Sequence, residues 1–356
     1  MTVIEQLNRT ILLCRDYVAD DLDDEVICRA FQSVRVLCRS DLANLSSRSG
    51  QTALVTLVSL VARMGMQVFL DIPEVEMVGP QPPLSGTALK EGLAALSNCL
   101  IDGARIESVP CEHPDLTFAI GSTKMGESDA LFWRLCGDDW SGRLTPITIS
   151  NFCDTWHSHW PIGAMVSAVL GASEAFKLVM RHMPLRNESD LVFFLPASFS
   201  HFDFGRTPVP SPEDRKIDLG SVDVVSAGAI SQAALFALLR VPQISMCGRA
   251  FDDDETGLTN LNRNMLSVTR DVGVAKVDVV VKKCGPAIRL RPVPSRFTNE
   301  SSAINALAPR VLVGVDDIPS RWTVQKLIPR WLAVSGTSSR SGHSSPSGSI
   351  GSSCVC

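Results

Sequence analysis

One segment narrows the choice of fold more than any other. Ser221–Val225 reads as a short apolar strand, Ser226–Ile230 as a glycine-containing turn, Ser231–Arg240 as a helix ended by Pro242, and Ile244–Phe251 as a second apolar strand that stops at Asp252. A strand, turn, helix, strand unit joins parallel strands through a crossover, so it builds an α/β layer. Small residues in the first turn and an acid at the end of the second strand are the layout for an adenosine nucleotide. Helix N-terminal amides face the phosphates and the acid takes the ribose hydroxyls. The turn reads S-A-G-A-I-S: it keeps Gly228 but has Ser226 and Ser231 where a dinucleotide fingerprint has glycine. Either close backbone approach survives with small side chains, or the loop is partly degenerate.

The stretch that follows, Phe251 to Lys276, orders its polar residues. Asp252, Asp253 and Asp254 come first, then Asn260, Asn262, Arg263 and Asn264, then Lys276 at the head of a new apolar run. A solvated connection needs charge but has no use for this sequence of carboxylates, carboxamides, one arginine and one lysine. Arginine offers a rigid fork and lysine a point charge, and both suit phosphoryl oxygens where charge develops. Further on, Arg310–Val315 reads as a buried strand that delivers Asp316 and Asp317 to its C-terminal edge, where ligands bind in open parallel sheets. A carboxylate there can hold magnesium against nucleotide phosphates. The competing role is a helix N-cap for the segment after Asp317, which Asp317 can fill while Asp316 does the other.

The N-terminal half carries a similar rhythm without the chemistry. Ser33–Cys38 reads as a strand, Gln51–Met64 as a helix, Gln67–Ile72 as a strand, Thr87–Leu96 as a helix and Leu116–Ile120 as a strand. The loop RSDLANLSSRSG stands where a dinucleotide fingerprint would, but it lacks G-x-G-x-x-G, so no first nucleotide site is expected. Residues 131–160 read as loop-like and aromatic, with His157 and His159 between tryptophans; WHSHW packs rings more often than it binds metal, and no third ligand is placed. Pro161–Met183 reads as a buried small-residue helix, and Asp190–Leu195 as a strand. Residues 197–218 are rich in proline and charge and make the best boundary in the chain.

Composition excludes some functions. A net charge of -5 over 356 residues leaves no basic footprint for nucleic acid. The apolar runs Thr52–Val61 and Ile162–Phe176 are too short and too polar to span a bilayer. The first residues hold no unbroken apolar stretch before their charges, so no secretory signal is read and a cytoplasmic location is expected. Eleven cysteines without a CxxC pair read mostly as small buried hydrophobes in a reducing compartment, Cys247 and Cys284 among them.

At this point the residues carry a resemblance. G-A-I-S-Q-A-A-L-F-A-L-L-R, F-D-D-D, L-T-N-L-N-R-N, D-V-G-V-A-K and V-D-D-I-P-S-R, in this order from about Val222 to Gly336, resemble the ThiF family of adenylating domains related to ubiquitin-activating enzymes. More loosely, W-P-I-G-A-M-V-S-A-V-L-G-A-S-E-A-F-K is similar to a helix of non-catalytic modules that accompany such domains in bacteria. The resemblance implies a Rossmann-like α/β fold, with mostly parallel sheets and helices on both faces, in two units of which the N-terminal one lacks a nucleotide site. Its expected limits are residues 1–200 for the degenerate module, 201–219 for a linker, 220–336 for the adenylation domain and 337–356 for a Ser/Gly-rich tail.

It implies further that Gly228 and Asp252 meet the nucleotide, Asp252 at the ribose, with Asp254 assisting. Asn260, Arg263 and Lys276 would engage the triphosphate of ATP, Asp316 would hold Mg2+, and Arg321 would support the strand end. The implied reaction is attack of the C-terminal carboxylate of a small ubiquitin-like protein on the α-phosphate, with a sulfur- or conjugating-enzyme acceptor downstream. A homodimer or an internal pseudo-dimer fits the same pattern. Two departures stand out: Asn264 replaces a common glutamine, and Cys354 and Cys356 supply only a C-x-C where many relatives bind zinc with two CxxC pairs. Alternatives are a non-catalytic ThiF-like partner that binds a ubiquitin-like protein without ATP, and a nicotinamide or flavin oxidoreductase, which gives no role to N-L-N-R or to the spaced lysine.

Overall fold

The structure, a computed structural model, describes residues 2–124, 132–146, 155–204, 216–298, 306–315, 317–337 and 342–347. The chain divides into two compact units, residues 1–214 with 240–242, and residues 215–239 with 243–356.

In the N-terminal unit the strands are β1 (Arg35–Arg39), β2 (Gln67–Asp71), β3 (Arg105–Glu107), β4 (Leu116–Ile120), β5 (Phe132–Gly137), β6 (Ser141–Pro146) and β7 (Ser200–Asp203). They form one sheet in the order β3-β2-β1-β4-β5-β6-β7. The first five run parallel, and β6 and β7 are antiparallel additions. The central strand β4 is buried at every residue, as a parallel strand covered on both faces must be. Helix Arg48–Arg63 follows β1, and Ser47 caps it by accepting a bond from the Gly50 amide.

Helix Ile162–Arg181 lies close against this core. A Cβ on Gly171 would stand 3.2 Å from both Leu57 and Phe118, a tight approach at which either side chain would have to give by a few tenths of an ångström. The helix forms within the Pro161–Met183 span expected of it; against the reading of Ile162–Phe176 as too short and too polar, it is by length and composition long and apolar enough to cross a membrane, and 56% of its most apolar window is buried inside the protein.

In the C-terminal unit the strands are β8 (Ile217–Val225), β9 (Ile244–Phe251), β10 (Ile288–Val293), β11 (Arg310–Val313), β12 (Trp331–Thr337) and β13 (Gly342–Ser347). The sheet order is β10-β9-β8-β11-β12-β13, parallel except for β13. Both units therefore repeat one doubly wound order, third-second-first-fourth-fifth, followed by antiparallel strands. From β8 the chain steps through β9 to β10 in one direction, and from β11 to β12 in the other. Right-handed crossovers then put helices Ala229–Leu238 and Lys276–Cys284 on one face and helix Ile318–Lys326 on the opposite one. The expected Rossmann-like α/β architecture is what forms.

Several local readings change. Within residues 131–160, β5 and β6 form a hairpin whose turn is fixed by Asp138, the side chain of which accepts from the amides of Trp140 and Ser141. The aromatic and polar mixture hid that alternation. Leu191–Phe194 is a short helix rather than a strand, because a four-residue apolar run has no period to read. Trp156 and Trp160 are buried while His157 and His159 face outward, and Trp160 packs on Trp140 with ring centroids 4.9 Å apart. Burial pushes the thiols of Cys14, Cys38 and Cys284 up to about 12. Cys136 is disulfide-bonded, and Cys247 is exposed on β9 rather than packed.

The C-terminal sheet is locked by a buried ion pair that the sequence did not announce. Asp223 on β8 accepts from Nε and Nη2 of Arg249 on β9 at 3.1 and 2.5 Å, from the Arg249 amide, and from the Ala308 amide at the entrance to β11. The Asp223 hydrogen bond raises the Arg249 guanidinium above its ordinary range. Arg249 also donates to the Ala306 carbonyl and stands 5.0 Å over the Phe251 ring. Removing Asp223 deprives Arg249 and the Ala308 amide of their acceptor; because Arg249 is partly exposed, the cost lies below the about 3–5 kcal/mol of a fully buried pair. Asp223→Ala is therefore expected to lower the urea midpoint of this unit and to speed hydrogen exchange in β8 and β9 together, with Asp223→Asn milder.

Candidate functional site

In an open α/β sheet the crevice for a ligand forms where neighbouring strands send their chains to opposite faces. In the C-terminal unit that point lies between β8 and β11. Three pieces of chain border its C-terminal edge: the turn after β8, the end of β9 and the segment after β11.

The turn after β8 is built around an unusual serine. Ser226 takes φ = 77°, the left-handed region in which glycine is at ease and other residues are strained. Its hydroxyl offsets this by donating to Asp252 Oδ2 at 3.2 Å and accepting from the Gly228 amide at 3.1 Å. The Ala227 amide reaches the same carboxylate oxygen at 2.7 Å, and the other oxygen accepts from the Asp254 amide at 2.9 Å. The Ser226 amide in turn donates to the Phe251 carbonyl. Asp252 thus cross-links the end of β9 to the turn after β8, and the helix Ala229–Leu238 starts directly behind Gly228.

Between Asp254 and Lys276 the chain makes a closed loop. Glu255 bridges Ala275, the Lys276 amide donates to the Asp254 carbonyl, and the Thr256 amide donates to Val274. Lys276 opens its helix with a nearly buried side chain, and its Nζ lies 2.6 Å from Asp254 Oδ2. That hydrogen bond, before all else, lowers the Asp254 carboxyl from its usual range. Asp253 is exposed and lies 3.4 Å from Arg296 Nε. Among the described residues the carboxylates of Asp252, Asp253 and Asp254 come within 4.8 Å of one another. Asn260 turns inward and accepts from the Gly257 amide, and Arg263 follows half-buried on the same turn. The buried Oδ1 of Asn262 meets no protein partner.

A residue that the motif reading passed over holds the two parts together. Gln232, fully buried, donates to the Ala227 carbonyl and accepts from the Leu266 amide and the Ser267 hydroxyl. It ties the β8 turn to the 256–274 loop. Its signal was available: it is a lone amide side chain in an otherwise apolar helix.

At the end of β11, Gly314 donates its amide to Val225, and a Cβ there would fall 2.4 Å from Ser231 Oγ. Close helix-to-strand contact is kept with serine in the helix because the glycine stands on the strand side. Asp317 caps helix Ile318–Lys326 by accepting from the Ser320 amide, and its bonds with Ser320 lower its carboxyl. Arg321 donates to the Val315 carbonyl, steadying the strand end. Asp316, Cys354 and Cys356 lie outside the described residues.

The N-terminal unit fills the matching place with its own side chains. Asn44, fully buried after β1, donates to Asp41, Ser122 and Thr123 and accepts from the Trp156 amide. A Cβ on Gly121, just past β4, would fall 2.0 Å from Asn44 Oδ1. The crevice that holds a turn and an acid in one unit holds a carboxamide plug in the other.

Comparison with known proteins gives three findings. Residues 33–191 match the family model described as the BilD N-terminal domain. A curated relative, the uncharacterized protein y4jF of Sinorhizobium fredii, is 26% identical over 263 residues, 72% of this chain and 46% of that protein, so the chain spans about half the relative's length. Among solved structures, the tRNA N6-threonylcarbamoyladenosine dehydratase TcdA of Escherichia coli matches at 22% identity over 32% of this chain and 50% of that one, with a TM-score of 0.28. MccB of Escherichia coli, solved with MccA, matches at 15% identity over 35% of this chain and 38% of that one, also with a TM-score of 0.28.

Two outcomes follow from this geometry. Gly314→Ala forces the helix start away from β11 and is expected to cost about 1–3 kcal/mol, read as a lowered melting temperature. The depressed Asp254 carboxyl stabilises the fold above the unfolded-state value of 3.8, and that contribution disappears as pH falls through the lower folded value. Because Asp254 is 61% exposed, the effect is at most about 1 kcal/mol. Asp254→Asn should flatten the acid limb of a stability–pH profile by that amount.

Proposed function

We propose that the C-terminal unit binds ATP and adenylates the C-terminal carboxylate of a small ubiquitin-like protein. The observation that carries this reading is the convergence on one sheet edge of the Asp252-bound turn, Gly228 at the head of its helix and the Lys276–Asp254 pair. Asp252 meets the ribose, and the amides at Gly228 and the helix start face the phosphates. Asn260, Arg263 and Lys276 take the triphosphate, Lys276 exchanging Asp254 for phosphoryl oxygen. Asp316 is the proposed ligand of the Mg2+ that accompanies ATP and screens the leaving pyrophosphate. The donor set suits that ion, since the carboxylates of Asp253 and Asp254 offer further hard oxygens beside the turn.

The chemistry asks for position and charge rather than for a base. A terminal carboxyl ordinarily titrates at about 3.5 and is already ionised near neutrality. Its oxygen forms a bond to the α-phosphorus, the bond from that phosphorus to the bridging oxygen breaks, and pyrophosphate leaves with the electron pair. Arginine and lysine held at the phosphates lower the barrier as that charge develops. The adenylated carboxyl then passes to a sulfur- or conjugating-enzyme acceptor.

A second reading keeps the partner and drops the nucleotide: a non-catalytic binder of a ubiquitin-like protein. Ser226 at a glycine position and the existing Lys276–Asp254 pair are the observations that favour it.

The test is ATP–pyrophosphate exchange with candidate small proteins, using a protein substrate lacking its C-terminal glycine as control. Asp316→Ala is expected to abolish exchange, and Lys276→Ala to slow it about 100–1,000-fold. Unchanged exchange in Asp316→Ala would sink the assignment, and calorimetry with no heat from ATP would favour the second reading. Asp252 gives a finer check. It already accepts three protein bonds out of roughly four acceptor positions, leaving room for one ribose hydroxyl. Of the 2′- and 3′-deoxy analogues of ATP, one should bind about tenfold more weakly and the other nearly as ATP does.

A further inference from the structure

The helix Ala229–Leu238 begins at the turn after β8 and is apolar along its length except for Ser231 and Gln232. Gln232 is fully buried, where an amide side chain needs partners at both ends. A carboxamide offers two acceptor positions on its oxygen and two N–H groups on its nitrogen. Oε1 spends both acceptor positions on the 256–274 loop, 3.2 Å from the Leu266 amide and 3.1 Å from the Ser267 hydroxyl. Nε2 donates to the Ala227 carbonyl at 3.0 Å, and the Gln232 backbone amide donates to the Gly228 carbonyl at 2.9 Å. Exchanging the two ends of the side chain would set N–H against N–H at Leu266 and oxygen against oxygen at Ala227, so its orientation is fixed.

These bonds reach into the two halves of the site. Ala227 and Gly228 belong to the turn, which has holds of its own: the Ala227 amide and the Ser226 hydroxyl on Asp252, and the Ser226 amide on the Phe251 carbonyl. Leu266 and Ser267 end the limb of the loop that carries Asn260 and Arg263. That limb is wound as consecutive turns. The Gly257 amide donates to Asn260 Oδ1, the Arg263 and Asn264 amides donate to the Asn260 carbonyl, and the Ser267 amide donates to the Asn264 carbonyl. A limb bonded in this way moves as one piece, and Gln232 grips its end. The returning limb is steadied separately by Asp271, which accepts from the Val268 amide at 2.9 Å and lies 3.7 Å from Lys283 Nζ.

We infer that Gln232 is a positioning residue that fixes the distance between the turn that meets the ribose and the side chains of Asn260 and Arg263 that take the phosphates. The inference rests on the nucleotide reading of this site. A ligand held by the turn alone is indifferent to that distance. One that spans turn and loop gains affinity from having the two halves pre-set. AMP is a ligand of the first kind and ATP of the second. Without Gln232, the buried side chains of Leu261 and Leu266 still pack the loop against the protein, so the limb shifts rather than unfolds.

The test is titration calorimetry of the full chain with ATP and with AMP, with circular dichroism to confirm that each variant folds. Wild type should bind ATP more tightly than AMP. Gln232→Met keeps the length of the side chain and removes its hydrogen bonds to Ala227, Leu266 and Ser267. It should weaken ATP roughly tenfold and AMP less than about twofold. Ser267→Ala, a smaller change that leaves the helix untouched, should weaken ATP about threefold with the same selectivity. In an Arg263→Ala background, where a group being positioned is gone, Gln232→Met should weaken ATP less than about threefold. Equal losses for both nucleotides, no loss for either, or a loss in the Arg263→Ala background as large as in wild type overturns the inference and leaves the nucleotide site standing. A wild type that binds neither nucleotide overturns that site and the inference together.

Discussion

Everything at the C-terminal edge of the second sheet hangs on one carboxylate. Asp252 ends β9, yet three of its hydrogen bonds go to other pieces of chain, two to the turn after β8 and one to the start of the next loop. A buried carboxylate needs such donors, and amides at a helix-start turn are the ones a doubly wound fold supplies. The bond holds Ser226 in a conformation that its own Cβ disfavours, and it sets where the helix begins. Without it, strain at Ser226 and desolvation at Asp252 would both go uncompensated.

Around that tie the charges are arranged in pairs rather than left bare. Lys276 sits against Asp254, Arg296 against Asp253, and Arg249 against Asp223. These pairs differ in what they can do. The Asp223–Arg249 pair joins a fully buried carboxylate to a partly buried guanidinium across neighbouring strands, so it holds strands together. The Lys276–Asp254 pair couples a nearly buried ammonium to an exposed carboxylate, and a phosphate group can replace such a partner.

How much of this could be read from the chain depended on whether a feature was local. The strands Leu116–Ile120 and Ile244–Phe251 were legible because a buried parallel strand is a plain apolar run. The cap at Asp317 was legible because capping is decided within four residues. The doubly wound order was foreshadowed by the alternation of strand and helix, though not the antiparallel strands β6 and β7 that extend the first sheet. Features made by distant partners left no local trace: Asp223 with Arg249, Gln232 with Leu266 and Ser267, and Asn44 with Ser122, Thr123 and Trp156. The two serines in the glycine-poor turn were visible, but the geometry that accommodates them was not. One is held by hydrogen bonds to Asp252 and Gly228, and the other by Gly314, far along the chain.

Asn44 gives the first unit a thermodynamic character of its own. A crevice filled by a solvent-borne ligand has two states, and its stability moves with the concentration of what fills it. A crevice filled by a side chain of the same chain has only one. Its occupant arrives with the fold, at an effective concentration fixed by covalent connection, and cannot be titrated, competed for or depleted. At this crevice the first unit has taken the occupant into its own sequence, and its contribution to stability is fixed with the fold.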